Sequence, residues 1–184
     1  MKKIAIIHDW LTGMRGGEKV LEIFCELFPE ADIFTLIHIP SSVSKIIEDR
    51  KIQTSFLQKI PLAMKRYRSF LPLFPLAIEG FDLRGYDVVV SSSHCVAKGA
   101  LTSPATIHIC YCHTPMRYVW EHYNTYFGNG KKGLVSRFLM PPIAHYLRMW
   151  DVASSNRVDY FVANSYNVAN RIKKYYKRTA EVIH

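Results

Sequence analysis

Ile4-Ala5-Ile6-Ile7-His8-Asp9-Trp10-Leu11-Thr12-Gly13-Met14-Arg15-Gly16-Gly17 is the stretch on which the fold turns. Ile4–Ile7 is a short, wholly apolar, β-branched run of the kind that a parallel strand buried on both faces needs. It passes directly into a glycine-punctuated loop. From Glu18 the period changes: Val20, Leu21, Phe24 and Leu27 recur at three- and four-residue steps, which marks a helix with one apolar face. Pro29 stops that helix, and Ala31–Ile37 reads as a second strand. The opening of the chain therefore predicts one βαβ unit.

The same alternation continues outward. Tyr86–Ser92, Thr106–Tyr111 and Val158–Ala163 read as strands, and Ala180–His184 as the beginning of another. Residues 41–58 read as a short helix and a connection. The aromatic-rich span 116–150 reads as helical in pieces, with Gly128-Asn129-Gly130 a turn and Pro141-Pro142 a helix start. Asn164-Ser165 suits the N-cap of a helix over about 166–176. Strands alternating with helices predict an α/β fold: one Rossmann-like, doubly wound, mainly parallel sheet over residues 1–184. Because the last strand is only beginning at residue 184, the chain is expected to be cut at an interdomain crossing.

Composition bounds the function classes. Hydrophobic residues make up 49% of 184, enough for one cored domain, and no apolar run reaches the length of a membrane span. The apolar run after Met1-Lys2-Lys3 is broken by His8-Asp9 too early for a signal peptide, so a cytoplasmic protein is expected. Four cysteines fit a reducing compartment. His108, Cys110 and Cys112 share a strand face, but at roughly 3.3 Å per residue the outer two stand about 13 Å apart. Zinc ligands sit only about 2.0–2.3 Å from the ion, so the three cannot share one metal. The net charge of +9, from 24 basic and 15 acidic residues, implies an anionic partner. The mixed basic and apolar segment 56–79 reads equally as an element seated on an anionic membrane surface or as a solvated face packed on the core.

Ligands of doubly wound sheets bind beyond the carboxyl ends of the strands, and three loops fall there. Gly13 to Gly17, with Gly16 and Gly17 at a helix start, leaves backbone N–H groups free to face a diphosphate; Asp9 reads as the residue that orients this loop. Neither a G-x-G-x-x-G nor a P-loop pattern is present. Ser91-Ser92-Ser93-His94, with Lys98 and Gly99 beyond, could hold sugar or phosphate oxygens or cap a helix. No G-x-S-x-G elbow occurs to make it a hydrolase. His113-Thr114-Pro115-Met116-Arg117-Tyr118 is the strongest of the three: a strand-tip imidazole can bond sugar hydroxyls, and an arginine beside it can hold a phosphate.

Taken together, His8-Asp9-Trp10-Leu11 leading to Gly16-Gly17-Glu18-Lys19, Tyr86 to His94 with Ala97-Lys98-Gly99, Tyr111 to Trp120, and Asp159 to Ser165 resemble the N-terminal, acceptor-side domain of retaining GT-B glycosyltransferases of family 4, which includes mannosyltransferases. The resemblance spans nearly the whole chain. It implies that Gly16 and Gly17 lie against the donor diphosphate and that His113 contacts the transferred sugar as the catalytic residue. His94, Thr114, Arg117 and Tyr118 would then contact acceptor or sugar, with Asn164 and Ser165 beside the cleft. It implies a nucleotide-sugar substrate such as GDP-mannose, a lipid-linked or polysaccharide acceptor, and no metal cofactor. It also implies a C-terminal domain that carries the diphosphate-neutralising Arg and Lys and an E-x7-E pair, without which transfer is not expected. The expected partners are these substrates and an anionic membrane surface at which the protein sits peripherally, rather than nucleic acid. Two rivals are a non-catalytic module that holds nucleic acid or lipid on its basic face, and a nucleotide-dependent oxidoreductase. The second lacks both the glycine fingerprint and a ribose-binding acid on the second strand.

Overall fold

The computed structural model describes residues 2–121 and 134–184. Its strands are β1 (Ile4–His8), β2 (Asp32–Thr35), β3 (Ile52–Thr54), β4 (Val88–Ser93), β5 (Ile107–Cys112), β6 (Tyr160–Ala163) and β7 (Glu181–Val182). They form one sheet in the order β3-β2-β1-β4-β5-β6-β7, with every pairing parallel. The described helices are α1 (Gly16–Leu27), α2 (Lys45–Glu48), α3 (Ala63–Arg66), α4 (Phe74–Glu79), α5 (Arg117–Trp120), α6 (Leu134–Ser155) and α7 (Tyr166–Tyr176), joined in places by short 3-10 turns. This is the expected Rossmann-like, doubly wound sheet.

Successive residues of β1 explain why its run is continuously apolar. Ala5 and Ile7 enter the larger core with Trp10, Phe34 and Phe74, whereas Ile6 points to the opposite layer with Leu21, Cys25 and Ile47. Both faces are covered, so the run is apolar from Ile4 to Ile7, and the polar His8 enters only at the strand's carboxyl end, where the site lies. A third cluster, with Cys110, Cys112, Phe161, Val168 and Ile172, closes the β5–β6 end under α7.

Two elements differ from expectation. β3 is an edge strand where only a connection was expected, since Ile-Gln-Thr is too short and too polar to show a period. Pro141 and Pro142 lie inside α6 rather than at its start. Pro142 cannot donate to the carbonyl of Phe138, but that residue is 74% exposed, and water can take the missing partner's place. The expected turn at Gly128-Asn129-Gly130 lies outside the described residues. Ser165 does cap α7, its Oγ accepting the Val168 N–H at 3.3 Å.

Segment 56–79 is partly packed on the core, as the second of the two expectations has it. Leu57, Ala63, Tyr67, Leu71 and Phe74 are buried in the larger core, while Leu62, Met64, Leu73 and Leu76 stay exposed beside Lys65 and Arg66. No helix among the described residues is long and apolar enough to cross a membrane.

β1 is the hinge of the topology: the chain winds from it through β2 to β3 on one side, then returns to its other edge with β4 and continues to β7. The switch point lies between β1 and β4, where His8 sits beside Ser92 in the register. In such sheets the crevice beyond the strand ends at that point is the place for a ligand.

Candidate functional site

Asp9, the first residue after β1, is fully buried, and its carboxylate organises the loop that follows β4. Oδ2 accepts the backbone N–H groups of His94 (2.7 Å) and Cys95 (2.9 Å), and Oδ1 those of Val96 (2.6 Å) and Ala97 (2.8 Å). The ring Nδ1 of His94 lies 3.0 Å from Oδ2. Asp9 was expected to orient the glycine loop; its bonds go instead to residues 94–97. Burial opposes the charge on Asp9, but the His94 ring and N–H outweigh it and hold the carboxyl far below its usual range. Reciprocally, burial would lower the His94 pKa, and the Asp9 carboxylate overcomes this and raises it.

Lys98 does not reach the cleft. Its Nζ is buried against α6, 2.9 Å from Asp151 Oδ1, and donates to the Asp151 carbonyl at 2.8 Å and Ser154 Oγ at 2.6 Å. Gly99 follows beneath the Trp150 ring, where an added Cβ would overlap the indole.

A second buried chain of polar groups runs from Glu18 to His113. Glu18, at the third position of α1, accepts the Arg15 N–H at 3.0 Å and places Oε1 3.8 Å from His8 Nε2. Burial raises the Glu18 pKa, and the neighbouring His8 imidazole with the Arg15 N–H brings it below normal, so the carboxylate is ionised at neutral pH. His8 Nδ1 lies 3.1 Å from Ser92 Oγ, which in turn lies 2.9 Å from His113 Nε2. The ionised end favours one arrangement of protons along this chain. A proton on His8 Nε2 faces the carboxylate, which leaves Nδ1 to accept the Ser92 hydroxyl proton. Ser92 Oγ then accepts from His113 Nε2–H, and His113 Nδ1 keeps a lone pair. Burial, with His8 and His94 nearby, lowers the His113 pKa to about 4, so the ring is neutral at pH 7.

The glycine loop completes the wall. Gly13 has φ 147°, a conformation that favours glycine. The first helical bond of α1 runs from the Lys19 N–H to the Arg15 carbonyl, so the N–H groups of Gly16, Gly17 and Glu18 have no acceptor within the helix. A Cβ at Gly17 would lie 3.4 Å from His8 Cε1 and 3.8 Å from His113 Nε2, so the helix start sits directly against the histidines.

Between these groups lies a cavity of about 590 Å³. Of the expected site residues it brings together Gly16, Gly17, His94, His113, Thr114, Arg117, Tyr118 and Asn164. Ser165 is off the lining, its hydroxyl engaged in capping α7. Thr114 Oγ1 accepts from Arg171 at 3.2 Å, which ties α7 to the cavity wall. Trp10, Arg15, Glu18, Val20, Arg68 and Tyr111 also line it, although the sequence proposed none of them as a site residue. Arg68 arrives from a distant segment with no local signal, whereas Glu18 could have been found as an acid at the third position of a helix. Three arginines and His94 face one carboxylate across this space, so it favours an anion. Among the described residues, no group of three or more His, Cys, Asp or Glu side chains is arranged to hold a metal ion.

The solved structure of the lipopolysaccharide outer core galactosyltransferase WaaB, in its apo form, matches 99% of this chain with a TM-score of 0.51 and 15% identity. This is the fold of one half of a GT-B glycosyltransferase. The chain spans 44% of the WaaB chain. No family model matches the sequence, and no curated protein matches it. At 15% identity the likeness carries the fold alone, and the cavity's chemistry rests on its own geometry.

Proposed function

We propose that this chain is the acceptor-side half of a retaining glycosyltransferase. It would move a hexose from a nucleotide sugar to a lipid-linked or polysaccharide acceptor at the inner face of a membrane. The observation that carries this reading is the meeting, in one cavity at the β1/β4 switch point, of the α1 N-terminus with His113 and three arginines. The free N–H groups of Gly16 and Gly17 suit the donor diphosphate, because a helix start offers both donors and a favourable dipole. The lone pair on His113 Nδ1 suits a hydroxyl of the transferred sugar, with Arg117, Tyr118 and His94 toward the acceptor.

In the reaction the anomeric C–O bond to the diphosphate breaks and an acceptor oxygen bonds to the same carbon with retained configuration. The nucleoside diphosphate leaves and the acceptor proton passes to it. Arginines and helix N-termini, rather than a resident metal, would meet the developing charge, with a second domain supplying the larger share. Mannose from GDP-mannose is the donor that the sequence resemblance suggests. This chain by itself would not transfer.

The test joins the chain to a C-terminal nucleotide-binding half and assays transfer from mixed nucleotide sugars to extracted polyprenyl-linked acceptors, with and without EDTA. Transfer that survives EDTA and is lost in His113→Ala supports the reading. Absence of transfer from every donor returns the cavity to an anion-binding role without chemistry.

A further inference from the structure

A second cavity, of about 350 Å³, adjoins the first and shares Arg15 and Arg68 with it. Lys65 and Arg66 add two more cations to its wall and Thr12 and Ser69 two hydroxyls, and no carboxylate is among its described lining residues. A lining with four cationic side chains favours an anion in the space they share, and Lys65 and Arg66 belong to this cavity and not to the first. The wall is built by the turn at Leu62, which adopts φ 64°, a left-handed conformation that is costly for a branched residue, and leads into α3. That turn leaves Leu62 64% and Met64 45% exposed immediately beside the cations. Basic groups, an adjoining sugar-sized cavity and exposed apolar side chains thus lie in one line.

We propose that this second cavity binds the phosphate or diphosphate of an amphiphilic acceptor. The acceptor's saccharide end enters the first cavity, and its apolar chain lies over Leu62 and Met64. The inference rests on the glycosyltransferase reading for the saccharide end, but the anion site stands on its own lining. Lys65 and Arg66 line this cavity and not the first, so they separate an acceptor phosphate from a donor diphosphate. Both are exposed, so replacing them leaves the core intact.

Titration calorimetry on this chain at low salt would use inorganic pyrophosphate, farnesyl diphosphate and, by co-sedimentation, phosphatidylglycerol–phosphatidylcholine vesicles. Farnesyl diphosphate is expected to bind more tightly than pyrophosphate. Both should weaken by about tenfold or more in the Lys65→Gln/Arg66→Gln variant, the size of losing charged hydrogen bonds. The Lys173→Gln/Lys174→Gln variant, with the same charge loss on α7, should bind as the parent does. Equal weakening in both variants would reduce the effect to net charge and overturn the proposal, as would absence of saturable binding. Binding to vesicles alone would also overturn it, identifying the patch as a headgroup-facing surface. None of these outcomes depends on whether His113→Ala abolishes transfer, so the two readings fail separately.

Discussion

At the scale of the residue, two buried carboxylates set the site. Asp9 holds four consecutive N–H groups and the His94 ring, so its loss leaves several buried donors unpaired. Asp9→Asn is expected to lower stability by about 2–4 kcal/mol, read from urea denaturation. Glu18 acts at longer range, through the tautomers of His8 and His113. Long-range proton–nitrogen NMR at pH 7 should find both rings protonated at Nε2. In Glu18→Gln the preference should weaken at both rings together; an unchanged His113 would dissociate it from Glu18. Little of this was legible in the sequence. His113 announced itself by standing at a strand tip among polar residues, but Glu18, His8 and Ser92 matter through pairings 84 and 21 residues apart, which no local pattern reveals.

At the scale of the element, α6 is tied to the β4 loop by a buried ion pair and a missing Cβ. Lys98 joins Asp151, whose Oδ2 also accepts from Trp120 at 2.8 Å and Tyr176 at 2.9 Å, so one carboxylate connects three helices. Gly99→Ala would drive a methyl group into the Trp150 ring. The expected cost is about 1–3 kcal/mol by overpacking, and a Gly99→Ala/Trp150→Leu double variant should recover part of it. Thermal denaturation of the two variants checks both statements. Elements of strong period were legible: β1, α1, β4, β5 and α7 stand where the pattern put them, within a few residues. β3 escaped because an edge strand of three residues has no period to show. The helical placement of Pro141 and Pro142 escaped because the rule that proline opens helices assumes that the missing bonds must be satisfied within the helix, and the exposure of Phe138, Leu139 and the two prolines relaxes it.

At the scale of the whole molecule, stability should depend on pH through groups on both sides of neutrality. Burial lowers the pKa of His108 from 6.5 to about 4. Between those values the unfolded chain binds a proton that the folded chain refuses, so stability falls as the pH drops from about 6.5 toward 4. For His108 the full effect is on the order of 3 kcal/mol. His94 has the opposite sign: its raised pKa gives stabilisation that is complete below 6.5 and fades as the pH rises through its folded value. Urea midpoints measured across pH should therefore fall less steeply between 6.5 and 4 in His108→Gln, where His113 keeps a slope of the same sign, and flatten above 6.5 in His94→Gln. The parallel sheet was legible from the alternation of strands and helices, but the strand order that sets the switch point came only with the structure. The meeting of segment 63–69 with the glycine loop was not, because that segment carries no period of its own.

The pairing of β1 with β4 brings His8 to Ser92 across 84 residues, with two strands and four helices made in between. Loop closure of that span must be completed before its contacts return any free energy, which makes such pairings slow. Asp9 can lock the amides of residues 94–97 only after that step. Those four N–H groups are therefore natural clocks: their exchange with solvent deuterium should proceed at the rate set by unfolding of the whole domain, while residues 62–66 exchange earlier. The cavity thus exists only in molecules that have finished folding.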